Sequence, residues 1–556
     1  NQSHICTPIA SMAIRRTGQV VTASRVRKVA AVAVGGAGVW AIASEEQKQQ
    51  ALLAARSTYR VLNLVSTATV IAGDYAYHIY FTHADSRDLI AGKRRLLARM
   101  QDDQETFTLR SMEQKDSFWL RRIADNRRSM DELTEEIAVL LEDGGDRYSR
   151  IHMRNATRLR DMCAANGGLY IKLGQHLAML DLVVPPEYQE VLSSLLGRTP
   201  QSSYEAVCRV VRGDLGADPL SLFDTFDPLP FASASLAQVH LATKDGQTFA
   251  VKVQHEGLRE GAPVDQAVIT KVVGVLSTLF EGFDYNWVSA EMNRNVPQEL
   301  NFRQEANNIA KAANNLAAFI ASGDVALPSV QASLSGSRVL TMSFEKGCYV
   351  SDVDSIAAQG LSKTQIASLL SRVFWEQIFR HGFVHCDPHP QNLLIRPHPH
   401  VKGKAQLVLL DHGLYRQLDE GFRKDYCRLW QGLALSDEQR IETYARRIGA
   451  GQAFSLLAAM ITQRPWDDIV SSDLDRMHSR GDRSEAVLLR SYAQKYFKEI
   501  TLLLGRVPSD LLLLFKTADC LRHLDKLLGA PVNTTAVAAG TVAGVLLEEE
   551  LTEALW

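Results

Sequence analysis

A change of hydrophobic period near Phe231 limits what this chain can fold into more than any other feature. Upstream, from His152 through NGGLYIKLGQHLAML to about Leu182, apolar residues recur at helical spacing until Pro185–Pro186 stops them. Shorter helical stretches follow at Glu187–Leu196 and Ser203–Asp214. From Phe231 the pattern switches: Phe231–Ala242 and Thr248–Gln254 (TFAVKVQ) carry β-type residues around Lys244–Gly246, which predicts a hairpin. Helical pattern returns over Ala262–Phe280, Val288–Asn295 and Pro297–Ala318, with two strands expected at Ala326–Ala332 and Arg338–Phe344. Phe344–Gly347 reads as a hinge, and beyond Ile366 the chain is helical apart from strands expected at Asn392–Arg396 and Leu407–Leu410. At 556 residues the chain is too long for one simple core. Strands gathered between two helical regions specify an α+β fold with a small β-rich N-lobe, a helical C-lobe and a helical N-terminal extension.

The start of the chain is different in kind. Between Asn1 and Ser44 there is no Asp or Glu, while Arg15, Arg16, Arg25, Arg27 and Lys28 stand among Ser, Thr and Ala. That is the composition of an organelle transit segment. Val29–Ala43 is apolar for 15 residues, short of the about 20 that a spanning helix needs. It reads either as a short or interfacial membrane helix or as part of a buried hairpin with a second apolar stretch, Val61–Gly73. From Asp88 to Arg150 there is no Pro, and pairs such as Arg127 with Asp131 sit at helical spacing. This predicts a solvated helix pair that Gly144–Gly145 should break. The expected divisions are a transit-like segment 1–28, membrane-associated helices 29–86, a charged insertion 87–150, a helical extension 151–230, an N-lobe 231–345 and a C-lobe 346–556. A formal net charge of -2 offers no field to recruit nucleic acid. The seven cysteines include no CxxC pair, which supports neither a zinc module nor a disulfide framework.

Four separated elements read as one nucleotide site. Lys252 lies mid-strand in Ala250-Val251-Lys252-Val253, and a buried ammonium there requires anionic partners. Asp387 and Asn392, five apart in VHCDPHPQN, have the spacing of a catalytic loop in which Asp orients an attacking group and Asn holds a metal ion. Asp411-His412-Gly413 ends an apolar strand about twenty residues later, where an Asp would bind Mg²⁺. Glu299 and Glu305, placed on one expected helix, are candidate partners for Lys252, but a separation of six puts them on different faces. His385, Cys386, Asp387 and His389 also suggest a transition-metal site, a reading disfavoured because the histidines straddle rigid prolines and no second carboxylate joins them. The order Lys252, Glu305, Asp387, Asn392, Asp411 is that of a protein-kinase-like two-lobed fold. Two of its usual parts are absent from the sequence: no Gly-rich loop precedes Lys252, and no Ala-Pro-Glu follows Asp411. An ordinary protein-substrate kinase is therefore disfavoured.

These departures resemble the UbiB (aarF-domain-containing) family, most closely its mitochondrial branch. The resemblance rests on the Ala-rich loop running from Ala232 to His240, on Lys172-Leu173-Gly174-Gln175, on Asp387–Asn392, and on VPSDLLLLFKTADCLRHLDKLLG near the end. It implies that Ala232, Ser233, Ala234 and Ser235 form the phosphate loop. It also implies that Lys252 pairs with Glu305, that Asn392 and Asp411 hold Mg²⁺, and that Asp387, Lys252, Lys172 and Gln175 are catalytic. Lys172 and Gln175 would lie across the place where a peptide docks. Asn301 stands where the family has Asp, which puts the usual partnership with Lys172 in doubt, and Gln391 replaces the usual Gly. ATP and Mg²⁺ are the implied cofactors. A slow ATPase or small-molecule kinase acting on a membrane lipid or quinone-like molecule is the implied activity, at the mitochondrial inner membrane or alternatively in a plastid. A nucleotide-binding pseudokinase scaffold, holding a membrane protein complex through the 87–150 arm, is the alternative.

Overall fold

The computed structural model describes residues 44–78, most of 93–108, 117–178, 184–196, 201–280, 285–470, most of 500–529, and 532–555. The transit-like segment and Val29–Ala43 lie outside these residues. Two compact units divide at Arg60 and Val61. The described part of the first is Ser44 and the opening turns of helix α1 (Glu45–Tyr77). The second contains all that follows.

Asp245 and Gly246 form the hairpin turn with φ of 50° and 74°, the left-handed pair that a two-residue turn between twisted strands requires. It joins β3 (Ala237–Lys244) to β4 (Gln247–Gln254) in register from Ala237↔Gln254 to Lys244↔Gln247. The single strand expected over Phe231–Ala242 is two strands. Ala234 N–H donates to Ala237 O at 2.8 Å, and this turn folds β2 (Ala232–Ser233) back onto β3. The sheet is completed by β1 (Thr225–Phe226) on one side and β6 (Val339–Ser343) on the other. In Ala326–Ala332 the expectation fails, because Pro328 lacks the N–H a ladder needs. Only β5 (Val325–Ala326) is strand, and it pairs in parallel with β10 (Ala405–Leu409) of the other lobe's sheet.

The extension corrects two further expectations. Helix α2 (Ser117–Asn166) runs unbroken through Gly144–Gly145, since two glycines at about 1 kcal/mol each do not end a 50-residue helix. The break falls instead at Gly167 and Gly168, with φ of 70° and 48°, after which α3 (Gly168–Ala178) carries Lys172 in a new direction. Helix α4 (Pro186–Ser193) packs beside it. Helix α5 (Tyr204–Leu215), capped by Ser203, buries Val207, Val210 and Val211 against Phe226, Phe249, Val251 and Val339. Each such side chain contributes about 1.5–3 kcal/mol. Helix α6 spans Leu258–Leu279.

Glu299 and Glu305 do not share a helix. Helix α7 (Asn286–Glu299) ends at Leu300, and α8 (Phe302–Asn315) begins with Asn301 as its cap, whose side chain accepts from Arg303 N at 3.3 Å. A side chain that can accept from the backbone starts a helix here and redirects the chain. In the helical lobe α9 (Lys363–Glu376) buries Ile366, Leu369, Leu370, Val373 and Phe374, passes through a π-helical turn over Gln377–His381, and stops at Gly382 with φ 56°. That exit launches β8 (Phe383–His385), paired with β11 (Tyr415–Gln417). Neither strand was expected, since three residues are too few to show a period. Strands β7 (Cys348–Tyr349), β9 (Leu393–Pro397) and β10 complete the second sheet with β5. Helices α10 (Glu420–Leu435), α11 (Ser509–Leu527) and α12 (Thr534–Leu555) pack around α9 and its π-helical turn.

Candidate functional site

The strand lysine, the catalytic-loop residues and the Asp-x-Gly turn come together on one cleft of about 130 Å³ at the junction of the two lobes. Lys252 Nζ donates to both oxygens of Glu305 at 2.7 and 2.9 Å and to Asp411 Oδ1 at 3.3 Å. The reach to Glu305 exists because α8 starts afresh at Asn301, turning Glu305 inward to 2% exposure. Glu299, at the end of α7, pairs with Lys172 Nζ at 2.9 Å. Asn301 touches neither lysine among the described contacts and serves as a helix cap. Lys516, from α11, donates to Asp387 Oδ1 at 2.9 Å. Asn392 Nδ2 donates to Asp387 O at 3.0 Å, and Gly413 N–H donates to Asp411 Oδ1 at 2.9 Å.

The electrostatics follow from these pairs. Burial pushes the Asp411 carboxyl up, but the Lys252 ammonium and the Gly413 N–H outweigh it and hold the group at about 2. At Asp387 burial is likewise outweighed, here by the Lys516 and Lys172 ammoniums, and the carboxyl lies far below the usual range. Burial would discharge Lys252, yet Asp411 and Glu305 keep it protonated well above its ordinary value. Lys172 is kept protonated against burial by Glu299 and Asp387. His412 occupies the middle position of Asp-x-Gly and is buried. Its Nδ1 bonds Tyr415 Oη at 2.9 Å, its Nε2 bonds Leu409 O at 3.1 Å, and burial pushes it down to about 3. It is a neutral wedge that sets the turn.

Three lysines face four carboxyl groups, Glu299, Glu305, Asp387 and Asp411, and burial pushes Glu305 up to about 7 against the pull of Lys252, so the cluster is close to charge-balanced. Glu299 Oε1 is buried without a hydrogen-bond partner among the described residues. Asp411 remains 40% exposed at its side chain, and Asn392 spends its amide nitrogen on the backbone, leaving carbonyl oxygen as its ligand atom. Two hard oxygen donors next to a phosphate-sized cleft fit Mg²⁺, which commonly takes one or two protein ligands and completes its shell with phosphate and water. His385 Nδ1 accepts Asp387 N–H, His389 Nδ1 accepts Gln391 N–H, and no metal-binding group of three His, Cys, Asp or Glu occurs among the described residues. Among the described residues no cysteine is in a disulfide.

Ser233, Ala234 and Ser235 line the cleft, as does Gln391, whereas Ala232 sits outside the lining. Gln175 also lines it, and its Nε2 donates to Leu195 O at 2.9 Å. Gly174 faces side chains, not another backbone: a Cβ there would stand 2.4 Å from Leu195 Cδ1. Sequence reasoning missed Lys516. Its signal was a lone lysine after the apolar run Leu511–Phe515, where a buried charge demands a partner.

Residues 194–445 match the ABC1 atypical kinase-like domain. A putative ABC1 protein of Arabidopsis thaliana is 43% identical over 387 residues, covering 67% of this chain and 72% of that protein. AarF domain-containing protein kinase 1 of Gallus gallus is 42% identical over 381 residues, covering 68% and 72%. Among solved structures, the complex of Rv3197 with erythromycin from Mycobacterium tuberculosis aligns over 74% of this chain and 97% of its own, at 20% identity and a TM-score of 0.41.

Proposed function

The chain belongs to the ABC1 atypical kinase-like family, in which a kinase-like fold implies ATP binding with a divalent metal, and we propose that this cleft takes Mg²⁺-ATP for slow hydrolysis or for phosphoryl transfer to a small-molecule or lipid acceptor. The observation that carries this reading is the convergence of Lys252–Glu305, Lys516–Asp387, Asp411 and Asn392 on one cleft. Bound metal would supply charge neutralisation on the phosphate oxygens, with Asp411 and Asn392 holding it. Lys252, braced by Glu305, presents an ammonium to anionic oxygens. Asp387, ionised at neutral pH and held by Lys516, would orient an attacking hydroxyl or water. Lys172 lines the same cleft and is held there by Glu299, which accords with a small or flexible acceptor and not a folded protein substrate. A part in ubiquinone or other lipid homeostasis at the mitochondrial inner membrane accords with the acid-free basic composition of residues 1–44. The 87–150 arm would serve as a docking element for a membrane protein complex.

A second reading, a scaffold that binds nucleotide without chemistry, is favoured by one feature: the Ala234 N–H that would meet phosphate is spent on Ala237 O. The experiment compares wild type with Asp411→Asn. A thermal shift with Mg²⁺-ATP that vanishes in the variant, together with Asp411-dependent hydrolysis, supports the enzyme. An Asp411-dependent shift without hydrolysis supports the scaffold. An undiminished shift in the variant removes Asp411 from the site.

A further inference from the structure

Behind the cleft lies a second and larger cavity, of about 370 Å³, walled by α1, α2, α3, α4, α6 and α7. Its wall is largely apolar, with Leu64, Ile71, Leu177 and Val272 among the lining, and no Lys, Arg, Asp or Glu lines it among the described residues. Apart from Thr67, Tyr285 and Ser289, the polar lining is gathered in one cluster. Tyr75 Oη lies 2.6 Å from His152 Nδ1 and 3.1 Å from Tyr188 Oη. Burial holds the His152 imidazole down against the opposing pull of Glu187, so the ring between the two phenols is neutral. Helix α3 partitions the two spaces, with Lys172 and His176 on the cleft and Leu173 and Leu177 on the cavity.

We propose that this cavity is a binding site for a neutral single-chain lipid, its hydrocarbon tail along the apolar wall and a hydroxyl or carbonyl head on Tyr75 and Tyr188. The volume falls in the range of small-molecule sites, which are mostly apolar with a few placed polar groups. An anionic head would meet no cation in the lining, and burying an unpaired charge there is costly. A neutral head with one donor or acceptor matches two hydroxyls and a neutral ring. The helices that wall the cavity also carry exposed apolar side chains, Leu62, Val65 and Val70 on α1 and Val275 and Leu279 on α6. Helix α6 is, among the described residues, the one long and apolar enough to cross a membrane, by length and composition. Such side chains on the same helices give a lipid a route from a bilayer surface. The proposal deepens the lipid-handling part of the proposed function and rests on it, but the site is measured without nucleotide.

The test is equilibrium dialysis of the full chain with tritiated farnesol, with decanoate as the anionic comparison. Wild type should bind farnesol saturably at one per chain and at least tenfold more tightly than decanoate. Val272→Phe and, independently, Ala68→Phe should each weaken farnesol at least tenfold by filling the cavity, and Tyr188→Phe should weaken it several-fold. An unchanged thermal shift with Mg²⁺-ATP shows that each variant is folded. Absence of saturable binding by wild type, equal binding of decanoate, or wild-type affinity in both folded filled variants overturns the site. If farnesol accelerates ATP hydrolysis equally in wild type and filled variants, the lipid reading survives while this cavity is excluded as its site.

Discussion

Lys516 and Asp387 stand 129 residues apart in sequence, yet Nζ and Oδ1 are 2.9 Å apart at the floor of the cleft. Their side chains are only 10% and 22% exposed, so the pair is desolvated enough to matter. Removing one partner leaves a buried charge uncompensated. Lys516→Met should therefore lower stability by about 3 kcal/mol, read from urea unfolding at pH 7. A loss within about 0.5 kcal/mol would show that the pair contributes little.

The same pair sets a pH dependence. The Asp387 carboxyl is depressed in the folded state, so its contribution is fully present above the unfolded value near 4 and is lost as pH falls through the lower folded value. Wild type should lose stability on acidification from about pH 5 to pH 3. Lys516→Met should lose less over that interval, because its Asp387 is no longer depressed as far. Parallel urea midpoints against pH for the two proteins would contradict this.

Lys252→Met should weaken Mg²⁺-ATP binding and also destabilise the fold by about 3 kcal/mol, because Glu305 is buried and loses its ammonium. Adding Glu305→Leu should recover more than half of the stability and none of the nucleotide affinity, since replacing both charges by apolar groups is close to neutral. Urea unfolding and calorimetric titration separate the two effects. Recovery of affinity in the double variant would show that Lys252 does not face phosphate.

Gly174→Ala should cost about 1–3 kcal/mol, because its Cβ would stand 2.4 Å from Leu195 Cδ1 in a closed core. Leu195→Ala in the same chain should return part of that loss by vacating the space. If Gly174→Ala melts with wild type, α3 has room to shift away from the 194–196 turn.

Lys172 and Gln175 should separate in function. Lys172→Ala strips Glu299 of its cation inside the cleft and should change ATP turnover or permit autophosphorylation. Gln175→Ala removes a hydrogen bond to Leu195 O and should cost about 1 kcal/mol of stability with a smaller change in turnover. Radiolabel incorporation and hydrolysis rates on both variants decide it. Wild-type behaviour in Lys172→Ala would make α3 a purely structural wall.

What the sequence by itself determined was local or strongly spaced. Asp245-Gly246 specifies its hairpin turn, because few residues tolerate two consecutive positive φ angles, and Asp387 with Asn392 keeps its five-residue spacing inside one short loop. Ile366, Leu369, Leu370, Val373 and Phe374 announce a buried helix by their period alone. Spacing alone left open which carboxylate each lysine meets; the family resemblance paired Lys252 with Glu305, and the tertiary structure supplied the reason. Glu299 and Glu305 look like neighbours on one helix until Asn301 caps a new one, which sends the first to Lys172 and the second to Lys252. Gly144–Gly145 reads as a break and Gly167-Gly168 as the middle of a helix, yet only the second pair ends one, where α3 must turn onto Leu195 and Leu258. Lys516 reaches Asp387 through the packing of α11 against the rest of the lobe, and the apolar cavity behind α3 is enclosed by residues from Leu64 to Ser289. Periodicity and turn chemistry act over a few residues and are written in them. Charge pairing and cavities depend on distances between elements far apart in the chain, which packing sets.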